Sequence, residues 1–240
     1  MTARRGTTRA RSRTSSPKTE DQAAAGDGGR AGRRPKRDLV VVKLGGSLAA
    51  GTPPRPWLDA VVEAPASVVL VPGGGPFADQ VRDLQGQWAL TDPLAHRLAI
   101  AAMEQFGQVL ASLHPGLQTA ASRSALSMTL RAGRVPVWLP SRMTLDAPDI
   151  PESWEVTSDS LALWLAGLLG ARATILVKAK EPPRSPAKAR TLAKRGLIDG
   201  AFPIFLESAA CRASCLGPSG LNALGEALAS GGLPGTEILA

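Results

Sequence analysis

Four short runs of nearly uninterrupted apolar residues constrain the fold of this 240-residue chain more than any other feature. Leu39-Val40-Val41-Val42-Lys43-Leu44 ends at Gly45-Gly46, and Ser67-Val68-Val69-Leu70-Val71 ends at Pro72 and three glycines. Val135-Pro136-Val137-Trp138-Leu139 and Thr174-Ile175-Leu176-Val177-Lys178 are the other two. A strand with one wet face alternates apolar and polar residues, whereas continuous runs suit strands covered on both faces. The segments between them read as helices. One covers residues 77–90, and another covers 92–113 with Thr91 as N-cap and Pro93 in its first turn. Ser158–Leu169 and residues 221–229 follow, with Gly170 and Gly231 where a C-cap glycine belongs. Residues 203–206 and 236–239 read as weaker strands. This alternation predicts an α/β fold with a mainly parallel sheet. The Pro- and Lys/Arg-rich residues 180–195 read as a surface loop.

The charge is uneven. The chain carries 28 Lys+Arg against 20 Asp+Glu, yet residues 1–38 alone hold 11 basic and 4 acidic side chains. That stretch has no Leu, Ile, Val, Phe or Trp, so it cannot bury enough apolar area to offset its ordering entropy. The expected organisation is a disordered basic tail over 1–38 and one domain over 39–240. The tail lacks the apolar h-region of a secretory signal and the apolar face of a transit helix. The longest apolar charge-free stretch, residues 160–171, is too short for the roughly 20 residues of a membrane span. A cytoplasmic location without membrane contact is therefore the expectation. Charge without stacking aromatics specifies no nucleic acid, which is not expected as a partner. Two cysteines make no disulfide scaffold, and two histidines argue against a multi-histidine metal centre.

Five features can carry chemistry. In Lys43-Leu44-Gly45-Gly46-Ser47, glycines at a strand end let main-chain amides approach an anion, with a lysine two residues away. Gly73-Gly74-Gly75 sits between a strand and a helix, where the helix dipole attracts phosphate. Walker A is excluded because no Gly-Lys pair occurs in the chain. A dinucleotide fingerprint is disfavoured because no acidic residue falls within 93–103, where a ribose ligand belongs. Thr157-Ser158-Asp159-Ser160 opens a helix, and on residue type alone it reads as ordinary capping. Lys178 closes an apolar run, as Lys43 does, at the strand end where α/β sheets bind ligands. His96 and Met103 share a helical face and on physics alone read as core.

Taken together and in this order, Lys43-Leu44-Gly45-Gly46-Ser47, Gly73-Gly74-Gly75-Pro76, the segment 157–162 and the strand ending at Lys178 resemble the amino acid kinase superfamily. The resemblance implies an αβα sandwich and an ATP- and Mg²⁺-dependent small-molecule kinase. It implies that Lys43 holds the transferring phosphate, that Gly45, Gly46, Ser47 and Gly73–Gly75 surround phosphoryl oxygens, and that Lys178 contacts the ATP phosphates. Asp159 would orient the lysines or the metal–phosphate group, with no dedicated protein metal site. Residues 95–107 and 154–160 look like the branch that phosphorylates an aminomethylfuran phosphate in methanofuran-type cofactor biosynthesis. On that basis His96, Glu104, Trp154 and Ser158 would bind the acceptor, with Trp154 stacking on its ring and Glu104 meeting its ammonium. A homo-oligomer is also expected. The Gly-Met-x-x-Lys element of acetylglutamate kinase is absent, and Leu197-Ile198-Asp199-Gly200 stands in its region. Alternatives are another kinase of the superfamily, acting on uridylate or isopentenyl phosphate, or a non-catalytic ATP-binding storage protein on the same scaffold.

Overall fold

The computed structural model describes residues 39–49 and 54–240; the basic stretch 1–38 lies outside them, as do the side chains of Ser47 and Ala49. The described strands are β1 (Leu39–Leu44), β2 (Ser67–Pro72), β3 (Leu117–Ala120), β4 (Val135–Trp138), β5 (Ala173–Val177), β6 (Ala187–Lys188), β7 (Arg212–Leu216) and β8 (Thr236–Leu239). They form one sheet in the order β3-β4-β2-β1-β5-β7-β8-β6. All neighbours pair in parallel except β7 and β8. The helices are α1 (Arg55–Val62), α2 (Gly75–Trp88), α3 (Asp92–Ser112), α4 (Arg123–Arg131), α5 (Ser141–Thr144), α6 (Ser158–Leu169), α7 (Ala189–Lys194), α8 (Phe202–Ala209) and α9 (Leu221–Ser230). No described helix is long and apolar enough to cross a membrane.

Helices cover both faces of the sheet, which is why the central strands carry no polar face. Alternate residues of β1 enter two different cores. Val40, Val42 and Leu44 pack with Trp57 and Leu58 of α1 and Leu224 of α9. Leu39 and Val41 pack with Ile100 of α3 and Leu161 and Leu165 of α6. Lys43 has the parity of Leu39 and Val41, so the pleat turns it toward the α6 side. The strand order places β1 between β2 and β5, where the chain's connections change direction. This switch point is where open α/β sheets form a crevice beyond their carboxyl ends.

The α/β expectation holds, and Gly170 and Gly231 take the left-handed conformation expected of C-caps (φ 65° and 79°). Three local readings differ. Residues 203–206 are helical: Phe202, Leu206 and Ala209 are buried while Ile204 is exposed, which is helical spacing with Pro203 in the first turn. Residues 180–195 are not one loop, since they contain β6 and α7. Strands β3 and β7 went unread because β3 is buried only at its two ends, and β7 has a single large apolar residue, Leu216, after the small Ala213, Ser214 and Cys215.

Candidate active site

The carboxyl ends of β2, β1 and β5 bring three distant segments together. The Gly45 amide donates to Val177 O at 2.9 Å, and the Gly73 amide donates to Leu44 O at 2.9 Å. These two amides extend the ladders, so they are not donors to a ligand. Gly46 opens a short 3-10 turn, and Gly75 is the first residue of the 14-residue α2, with Gly74 as its N-cap. Amides at such positions have no intrahelical partner. Gly46, Gly74 and Gly75 are thus the donors this cradle offers.

The glycines are also required by contact. A Cβ on Gly46 would lie 2.2 Å from the Gly75 nitrogen, main chain against main chain. Gly75 has φ 57°, and a Cβ there would meet the Phe106 ring at 2.9 Å. Gly46→Ala is expected to push the two segments apart and to lower stability by about 1–3 kcal/mol, the usual cost of overpacking. A thermal melt checks it.

Above the cradle lies a charged triad of Lys43, Asp159 and Lys178. Lys43, Asp159 and His96 are 5%, 3% and 4% exposed. Lys178 Nζ donates to Asp159 Oδ2 at 2.6 Å. Lys43 Nζ stands 2.9 Å from Asp159 Oδ1, an ion pair whose angle leaves Oδ1 without a directed hydrogen bond. Burial alone would raise the Asp159 carboxyl, but the charges of Lys178 and Lys43 outweigh it and hold the group well below the usual carboxylate range. Burial lowers the Lys43 ammonium, and the neighbouring Lys178 adds to that, against the pull of Asp159. Two cations share one anion here, so the site carries surplus positive charge into which a phosphate fits.

Two cavities meet at this triad. The first is lined by Lys43, Gly46 and Gly73–Gly75 at its floor and by His96, Met103, Trp154 and Ser158 on its walls. The second is lined by Lys180, Gly196, Leu197, Ile198 and Asp199. Asp159, Lys178, Thr157, Arg82 and Trp154 belong to both. The Arg82 guanidinium covers one face of Trp154, 4.4 Å from the ring centroid, and Trp154 Nε1 donates to Gln85 Oε1 at 2.5 Å. The His96 ring donates from Nδ1 to Ser153 O at 3.0 Å, and burial lowers its pKa, so Nε2 is left as an acceptor.

The structure therefore gathers Lys43, Gly46, Gly73, Gly74, Gly75 and Asp159 with Lys178, His96, Trp154 and Ser158. It does not gather Gly45, whose amide is taken by Val177. Nor does it gather Glu104, which is a correction. The Glu104 Oε1 accepts from the Ser141 amide at 2.9 Å, and the residue does not line the cavity. Its place eight residues after His96 turns it about 80° away around α3, whereas Met103 stays on the His96 face. Three residues of the site went unread: Arg82 and Asp79, which line the first cavity from α2, and Asp199. Arg82 had a legible signal, being about two helical turns beyond Gly75. Burial and the charge of Asp159 push the Asp199 carboxyl up to about 6, against the hydrogen bonds it accepts from Ser160 and Thr157.

The amino acid kinase family model matches residues 38–181. The chain belongs to the amino acid kinase family. Over 142 residues it is 32% identical to the [5-(aminomethyl)furan-3-yl]methyl phosphate kinase of Methanocaldococcus jannaschii, covering 58% of this chain. The match spans 64% of that relative's length, just under two thirds. Among solved structures, the uridylate kinase of Archaeoglobus fulgidus superposes with a TM-score of 0.64 at 18% identity, over 83% of this chain and 99% of that one. The UMP kinase of Ureaplasma parvum gives 0.62 at 11% identity, over 85% and 99%. An isopentenyl phosphate kinase substrate complex gives 0.56 at 12%, over 83% and 100%. At these identities the structural likenesses establish the fold of the amino acid kinase family for this chain.

Proposed function

We propose that the protein is an ATP-dependent kinase that transfers the γ-phosphoryl group to a phosphate monoester, and that its acceptor is [5-(aminomethyl)furan-3-yl]methyl phosphate. The observation that carries this reading is the pair of cavities joined at Asp159 and Lys178, with Lys43 on the first cavity's side of that junction. The first, about 180 Å³, suits a ring bearing one phosphate, and the second, about 390 Å³, suits the nucleotide. An acceptor phosphate oxygen attacks the γ-phosphorus, the bond to the β,γ-bridging oxygen breaks, and ADP leaves with the electron pair. Such transfer needs alignment and charge neutralisation more than a covalent catalyst. The acceptor phosphate is already ionised, so no strong base is required. Lys43 and the amides of Gly46, Gly74 and Gly75 face the transferring group from the acceptor side, and Lys178 faces it from the nucleotide side. Asp159 holds the two ammonium groups apart at fixed positions.

Among the described residues no group of three or more His, Cys, Asp or Glu could hold a metal ion. Magnesium is usually held by one or two carboxylates together with substrate phosphates. Asp159 Oδ1, buried and without a directed hydrogen bond, is the oxygen that fits such an ion. Bound there, magnesium would neutralise phosphate charge. In the first cavity, the free face of Trp154 can stack on the furan ring. The acceptor ammonium has Asp79 and His96 Nε2 as partners in place of Glu104. The furan acceptor is favoured over other phosphates by the 32% identity to the Methanocaldococcus enzyme, and a cytoplasmic setting follows from the use of ATP.

The test is ADP release from ATP and magnesium with four acceptors: the aminomethylfuran phosphate, UMP, isopentenyl phosphate and acetylglutamate. Turnover is expected with the first, at a kcat/KM at least about 10²-fold above the others, since a polar site left unpaired by the wrong substrate discriminates strongly. ATP binding without acceptor-dependent ADP release would overturn the kinase reading in favour of storage. Preference for another acceptor would overturn the substrate.

A further inference from the structure

Asp199 makes a set of contacts that the reaction outlined above does not use. Helix α6, which carries Asp159 in its first turn, has no side-chain cap of its own. Thr157 occupies the N-cap position with extended backbone, and its side chain accepts no hydrogen bond from the helix. The cap comes instead from the turn between α7 and α8. Asp199 Oδ2 accepts from the Thr157 amide at 2.8 Å, from Thr157 Oγ1 at 2.8 Å and from the Ser160 amide at 3.0 Å. Asp199 Oδ1 accepts from the Ser160 hydroxyl. Four donors on the residues flanking Ser158 and Asp159 converge on one carboxylate about forty positions away.

We infer that Asp199 is a positioning residue for phosphoryl transfer: by clamping residues 157 and 160 it fixes the angle at which Asp159 meets Lys43 and Lys178. This rests on the kinase reading above. A capping serine at position 157 would satisfy the helix end equally well. The remote carboxylate does something a local cap cannot. Gly196, Leu197 and Ile198, immediately before Asp199, line the second cavity together with Asp159 and Lys178. One side chain therefore ties the wall of the nucleotide-side cavity to the backbone that aims the central carboxylate. Displacing a catalytic group by 1 Å can cost about 10²-fold in rate.

The isosteric amide separates geometry from charge. In Asp199→Asn the remaining oxygen still accepts the three bonds of Oδ2, and the amide nitrogen donates to a rotated Ser160 hydroxyl. Burial and the charge of Asp159 already favour the neutral form of this group, which titrates at about 6, so the amide variant is expected to fold. In Asp199→Ala all four bonds are lost.

The experiment measures turnover with ATP and the aminomethylfuran phosphate, together with amide hydrogen exchange at Thr157 and Ser160, in both variants. Asp199→Ala is expected to lower kcat by about 10²-fold, with both KM values within about 3-fold of wild type. Exchange at the two amides should quicken by about 10-fold or more. Asp199→Asn should restore kcat and exchange to within about 3-fold of wild type. Wild-type turnover in Asp199→Ala overturns the inference, and so does an Asp199→Asn variant as slow as the alanine one, which would assign the role to charge. If Asp199→Ala does not fold, Thr157→Val combined with Ser160→Ala removes the two hydroxyl bonds, and unchanged kcat there overturns it too. Should the wild-type protein turn over none of the acceptors, the kinase reading fails while the exchange measurement still decides the clamp: unchanged exchange in Asp199→Ala sinks it.

Discussion

Asp159→Asn is expected to lower turnover by at least about 10²–10³-fold, the usual cost of one preorganised electrostatic contact, and to destabilise the fold as well. The substitution leaves the ammonium groups of Lys43 and Lys178 facing each other with no anion between them. Breaking a buried pair from one side typically costs about 3–5 kcal/mol. The loss has a pH signature. Burial already disfavours the Lys43 cation, and Asp159 is what opposes it. Without Asp159 the depression deepens, and a lysine whose folded pKa is depressed gains stability as pH rises and the group neutralises. The melting temperature of the variant should therefore recover relative to wild type as pH rises toward the ordinary lysine value of 10.5. In the wild-type protein Asp159 gives a dependence of the same sign, but it sits at acid pH. Asp159 is held below its ordinary 3.8, so its contribution is complete above that value and is lost as pH falls below it. A variant that keeps wild-type turnover would remove Asp159 from the mechanism.

Lys43→Met should separate activity from stability. The methionine fills nearly the same space, and Asp159 keeps its 2.6 Å bond to Lys178. What disappears is a buried cation and its repulsion with Lys178. Turnover is expected to fall by about 10²–10³-fold while the melting temperature holds or rises, because the Asp159–Lys178 pair that remains leaves no uncompensated buried charge. A residue that weakens the fold it sits in is one kept for function. A lowered melting temperature with intact turnover would make Lys43 structural instead.

The residues legible in the sequence stand at punctuation points: the end of an apolar run, a glycine cluster or a helix start. Lys43 follows three valines, Lys178 follows Thr174–Val177, and Asp159 follows a helix-start pattern. The pleat and the strand order then bring them together, and strand order follows from the βαβ rules. Glu104 failed because a sequence match marks a segment and not a face. One residue's displacement along α3 moved its carboxylate from the cavity to the Ser141 amide. Asp199 was invisible for a different reason. Its partners, Thr157 and Ser160, already looked like a self-sufficient cap, so nothing local signalled that a third party supplied it. Strand β7 was obscured because only its last residue, Leu216, is large and apolar.

The contact between Gly46 and Gly75 bears on how this scaffold can acquire new substrates. Where two stretches of main chain touch with no room for a methyl group, the dimensions of the pocket floor are set by the polypeptide itself and cannot be tuned by exchanging side chains. Variation must then enter through the walls, chiefly at Ala78, Asp79, Arg82, His96, Ala99 and Met103 on the α2–α3 helical pair, with Trp154 and Ser158 opposite. A laboratory selection for a bulkier or differently charged acceptor would accumulate its changes on those two helices and leave the glycines untouched. The part of the protein that handles phosphate and the part that chooses what bears it would thus evolve on separate schedules.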